Sequence, residues 1–89
     1  MPVYFITPTK TPEAVLERLK QFVSDDDLYV LADDKWFASF DGTSAQLSEK
    51  IGFKDGSTGT GVILRVTSYN GRAPGDLWEW ITLKDVTEK

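Results

Sequence analysis

Six stretches of regular hydrophobic periodicity, separated by turn signals, follow one another in the order strand, helix, strand, strand, helix, strand. No other feature constrains the fold as strongly. Residues 3–6 are apolar, aromatic and partly β-branched, as a strand requires, and Thr7-Pro8 closes them. Thr11-Pro12-Glu13 opens a helix: Thr suits the N-cap, Pro the first helical position, and Glu the positive end of the dipole. Val15, Leu16, Leu19, Phe22 and Val23 then recur at three- and four-residue spacings, so the spacing predicts a helix over 12–23. Asp25-Asp26-Asp27 ends it in a polar turn.

Residues 28–32 and 36–40 read as two strands joined at Asp33-Asp34, close enough for a hairpin. Thr43 and Gln46 have capping-box spacing and open a two-turn helix that Gly52 stops. A Gly-rich loop over 54–61, flexible by composition, leads into a long strand over 62–69. Asn70-Gly71 signals a turn. Residues 77–81 form a helix with Asp76 as N-cap or, alternatively, a final strand; 84–89 are expected to fray.

This order predicts a single α+β domain over 1–89, a ferredoxin-like βαββαβ sandwich. Its four-stranded antiparallel sheet would run 4-1-3-2, with two helices on one face. A chain of 89 residues buries a little over ~60% of its unfolded surface, enough for one core.

The missing letters exclude chemistry. With no Cys there is no disulfide, thiol nucleophile or thiolate metal site. With no His either, zinc is disfavoured and the Ser-His and Cys-His dyads are impossible. No signal peptide and no apolar run of spanning length is visible, which points to the cytoplasm. Ten Lys and Arg against fourteen Asp and Glu give a net charge of -4, and the cations are scattered, so nucleic acid is disfavoured as a partner.

Three clusters have the composition of possible sites. The Asp25–Asp27 run and the Asp33-Asp34 pair could gather a divalent cation, but the calcium-loop spacing is missing and turn chemistry accounts for them. The glycines of 56–61 lead into a strand without the Lys and helix that a phosphate loop needs. No catalytic residue, cofactor or metal ligand is assigned.

The opening Val3-Tyr4-Phe5-Ile6, the hairpin entry Asp34-Lys35-Trp36-Phe37, the helix entry Thr43-Ser44-Ala45-Gln46-Leu47 and the strand Val62-Ile63-Leu64-Arg65-Val66 resemble SinR-type small proteins of bacteria. These are ferredoxin-like relatives of the small CRISPR-associated endonucleases. The resemblance covers roughly residues 3–70 and the region of Trp78. It implies the fold and a tendency to homodimerise. In the endonuclease relatives an Asp after strand one binds a divalent metal across a dimer. Thr7-Pro8-Thr9 stands at that place here.

The aromatics, five Phe, three Trp and three Tyr, are the most informative group. Phe5, Phe22, Phe37 and Phe40 are assigned to the helix-covered core. Alternation then makes both sheet faces partly apolar, whereas a wet face alternates cleanly with polar residues. The second face therefore needs a cover, from residues 77–81 or from another subunit. Tyr4, Trp36, Tyr69, Trp78 and Trp80 are the candidate interface residues. The reading is a non-catalytic, homodimeric protein-interaction module that binds a further, unidentified protein. The alternative is a divergent metal-dependent nuclease lacking the strand-one Asp.

Overall fold

The computed structural model describes residues 2–72 and 75–85. Its elements are β1 (Val3–Pro8), α1 (Pro12–Leu19), a 3-10 turn (Asp25–Asp27), β2 (Leu28–Ala32), β3 (Lys35–Ser39), α2 (Ser44–Lys50), β4 (Gly61–Arg65) and α3 (Gly75–Asp85). The strands form one four-stranded sheet in the order β2-β3-β1-β4, antiparallel at every pairing. Read from the opposite edge, this is the expected 4-1-3-2.

The register fixes which side chains share a face. Ile63, Ile6, Trp36 and Val30 lie in one row across the sheet, and Arg65, Tyr4, Ala38 and Leu28 in the next. Ile6, Trp36, Tyr4 and Ala38 from these rows join Val15, Leu19, Leu47 and Ile51 of α1 and α2 in the main core. The intervening row, Leu64, Phe5, Phe37 and Tyr29, points the other way. Phe5 and Phe37 are therefore half-buried on the second face, their rings 4.9 Å apart, not under α1 and α2. Of the four Phe assigned to the core, Phe40 alone belongs to this cluster. Phe22 is on the surface, with the Arg18 guanidinium and the Lys50 ammonium over its ring.

Local chemistry explains the element ends. Thr43 forms both bonds of the capping box: Gln46 N–H donates to its Oγ1, and its own N–H donates to Gln46 Oε1. Gly52 ends α2 at a φ of +83°, a conformation with no side-chain penalty for glycine. Thr11 occupies the N-cap of α1, and its carbonyl accepts from Val15 N–H, but its side chain makes no capping bond. It adopts φ 47°, uncommon for a β-branched residue, and its hydroxyl donates across to Thr58 O at 2.9 Å. Together with the Thr9 N–H to Thr60 O bond, this ties the Gly-rich loop to the 9–11 segment. A methyl group at Gly59 would sit 2.6 Å from Thr11 Oγ1 and 2.9 Å from Lys10 O, so the close approach requires glycine.

Four expected lengths change. β1 runs past Ile6 through Thr7 and Pro8, which pair with Val62 and Gly61 instead of closing the strand. α1 stops at Leu19 because the chain tightens: Gln21 and Phe22 bond three residues back, to Arg18 and Leu19. β4 is shorter than 62–69 because its partner β1 begins at Val3, and Val66 N–H to Val3 O is the last bond of that ladder. α3 begins at Gly75, placing Asp76 in its first turn, and runs through Asp85. Residues 84 and 85 are thus helical, while 86–89 lie outside the described residues.

Ser39 is 3% exposed, and its Oγ has no hydrogen-bond partner among the described residues. A buried hydroxyl left unpaired costs about 1 kcal/mol or more. Ser39→Ala should therefore stabilise the fold by about 1 kcal/mol, read as a higher urea midpoint with unchanged slope. A lower midpoint would show that the hydroxyl is satisfied.

Candidate interaction surface

α3 lies on the second sheet face. Leu77 and Ile81, one turn apart, are its buried stripe, 2% and 0% exposed. Neither belongs to the α1/α2 core, so the sheet is coated on both sides. Polar contacts hold the helix along both flanks. Toward β2, Trp80 Nε1 donates to Asp26 O at 3.1 Å, Tyr29 OH donates to Asp76 Oδ1 at 3.0 Å, and Lys84 Nζ pairs with Asp27 Oδ1 at 3.0 Å. Toward β4, Tyr69 stacks on Trp78 with ring centres 5.7 Å apart, and its hydroxyl meets Thr82 Oγ1 at 2.8 Å. The acidic run after α1 thus serves as the anchor of α3, through a carbonyl of Asp26 and the carboxylate of Asp27.

Among the described residues the cover is incomplete. α3 meets β1 and β2, and β4 is left beside an open groove of about 540 Å³. Phe5, Phe37 and Leu64 form its floor, and Leu77, Trp78 and Ile81 its wall. On β4, Val62 is 46% and Leu64 55% exposed. These are large apolar side chains in water next to the groove, whose lining also includes Arg65, Asn70 and Arg72.

The five candidate interface residues divide. Tyr4 and Trp36, at 1% and 0% exposure, are core residues and unavailable to a partner. Tyr4 donates its hydroxyl to Gly42 O, and Trp36 Nε1 donates to Asp33 O at 3.2 Å. Alternation turns them toward α1 and α2, the face opposite to α3. Trp78 and Tyr69 line the groove. Trp80 sits on the β2 flank, its ring 5.9 Å from that of Tyr29. Val62 and Leu64, exposed beside the groove, are not among the five; the apolar run of β4 is the sequence signal that could have pointed to them.

Burial first, then the hydrogen bond to Asp76 and its charge, raise the Tyr29 hydroxyl above the ordinary tyrosine value of 10.0. The folded state therefore holds this proton more tightly than the unfolded chain. Its stabilising effect is fully present below pH 10.0 and is lost as pH climbs through the higher folded value. Trp80 fluorescence should report loosening of this flank in that alkaline range, and Tyr29→Phe should remove the transition. An identical transition in Tyr29→Phe would place its origin elsewhere.

Among the described residues no three Asp or Glu side chains converge as a metal site. β1 continues through Thr7 and Pro8, paired with Val62 and Gly61, so this stretch lies within the ladder. Among the described residues no helix is long and apolar enough to cross a membrane. No protein-family model, curated protein or solved structure matches this chain.

Proposed function

We propose that this chain is a non-catalytic protein-interaction domain of ferredoxin-like, SinR-type architecture that works as a homodimer and presents its surface to a further protein. The observation that supports this reading is the uncovered β4 strip, Val62 and Leu64, continuous with the groove that α3 leaves open. Contiguous exposed apolar surface of this kind marks interaction sites on soluble domains. The nuclease alternative draws on no comparable observation.

Size-exclusion chromatography with light scattering at about 100 µM, well above a micromolar Kd, should give twice the monomer mass. Leu64→Lys should give a folded monomer, because the side chain is already 55% exposed and its loss removes contact area, not core. A wild-type monomer at that concentration would overturn the homodimer.

A further inference from the structure

The two edges of the sheet are treated differently. Exposed strand edges invite pairing with other chains, and proteins blunt the ones they keep single. The β2 edge carries such devices. Its register with β3 shifts between Val30 and Ala32, acids flank it at Asp25–Asp27 and Asp33-Asp34, and α3 is fastened beside it. β4 carries none of them. Gly61–Arg65 pairs with β1 without a register shift, contains no proline, and has Arg65 as its single charge.

The bonding phase of β4 follows from the register. Val66 N–H bonds Val3 O and Thr9 N–H bonds Thr60 O, so residues 60, 62, 64 and 66 turn their backbone groups toward β1. Ile63 therefore directs its N–H and C=O to the other side, where the sheet has no further strand among the described residues. Val62 and Leu64 flank Ile63 symmetrically, share the second face, and are both exposed.

We propose that two copies of this chain join β4 to β4, antiparallel, about a two-fold axis at Ile63. This deepens the homodimer reading above and rests on it. The two Ile63 residues then exchange both backbone bonds. Val62 faces Leu64 of the second copy in a non-hydrogen-bonded pair, where Cα atoms lie about 4.5 Å apart. The exposed apolar pair of each copy covers that of the other, as cross-strand pairs do. Arg65 falls opposite Gly61 of the second copy, so the two cations stay apart. The row Leu64, Phe5, Phe37, Tyr29 continues from one copy into the next, and the two grooves lie side by side on one face.

The chain has no cysteine, so engineered thiols report without background. Val62→Cys and Leu64→Cys are made separately and oxidised alone and as an equimolar mixture, with light scattering on each. A 62–64 pair across the axis lies within disulfide reach, whereas 62–62 and 64–64 pairs are a diagonal step further away. The mixture should give on the order of ten-fold more cross-linked dimer than either variant alone. Cross-linking of one variant with itself, or none in the mixture, while light scattering still shows a dimer, overturns the β4 geometry and leaves the homodimer standing. A monomer throughout overturns both.

Discussion

Trp36→Ala should bring the domain close to its unfolding threshold at 25 °C. Trp36 is fully buried, between Ile6 and Val30 in the central row that faces α1 and α2. Deleting a buried Trp side chain costs about 3–5 kcal/mol, because the lost transfer energy is joined by a cavity that two helices and a sheet cannot close. Small domains are stable by roughly 0.05–0.15 kcal/mol per residue, about 4–13 kcal/mol for a chain this size, so the loss removes a large share of the stability and, at the lower end of that range, all of it. Far-UV circular dichroism and a urea titration check it. Trp36→Phe, which keeps a ring in the space, should remain folded with a lower midpoint. The same residue would behave differently on an interface: alanine there would change association and leave the melting temperature within a few degrees. That outcome would return Trp36 to the surface.

Much of this architecture is visible in the residues themselves. Thr43, Gln46 and Gly52 mark both ends of α2, and the structure shows each of their expected bonds or conformations. The hairpin is visible because two β-prone runs are separated by a short turn at Asp33-Asp34, although β3 begins one residue earlier than expected, at Lys35. The parity of the sheet is harder to read. Period-2 alternation tells which residues share a face, but not which face the helices cover. In most antiparallel sheets the polar side answers that question. Here Tyr4, Trp36 and Phe40 alternate against Phe5 and Phe37, so both sides look like a core, and both are.

What covers the second face was legible only in outline. Leu77 and Ile81 are one turn apart, which suits a helix, but residues 77–81 alone are too few to settle helix against strand. The clasps that seat α3 are invisible to any local pattern. Trp80 reaches the carbonyl of Asp26 and Lys84 the carboxylate of Asp27, more than fifty positions back along the chain. The length of β4 is likewise a tertiary result: Thr67 and Tyr69 are β-prone, but the partner strand has no residues left to meet them once Val66 has bonded Val3.

Ile81→Asp should separate the two halves of this sandwich. Ile81 is 0% exposed beneath α3, and a carboxylate there would be buried among apolar side chains without a partner. That costs several kcal/mol unless the group reaches water. The route to water is local, because α3 is held by its apolar stripe and by contacts along its flanks. The α1/α2 core, from Tyr4 and Trp36 to Leu47 and Ile51, contains no residue of α3. The expected result is therefore a lifted helix over a surviving sheet. Amide exchange should accelerate throughout α3 and stay slow in β1 and β3, the pattern of a sub-global opening. Trp80 emission should shift to the red as its contacts with Tyr29 and Asp26 are lost. With Phe5 and Phe37 bared beside Leu64, an apolar row crosses all four strands, so the variant should bind an apolar dye and aggregate at concentrations where the wild type does not. Loss of protection in β1 and β3 together with α3 would instead show one cooperative unit, in which the second face contributes to the fold as directly as the first.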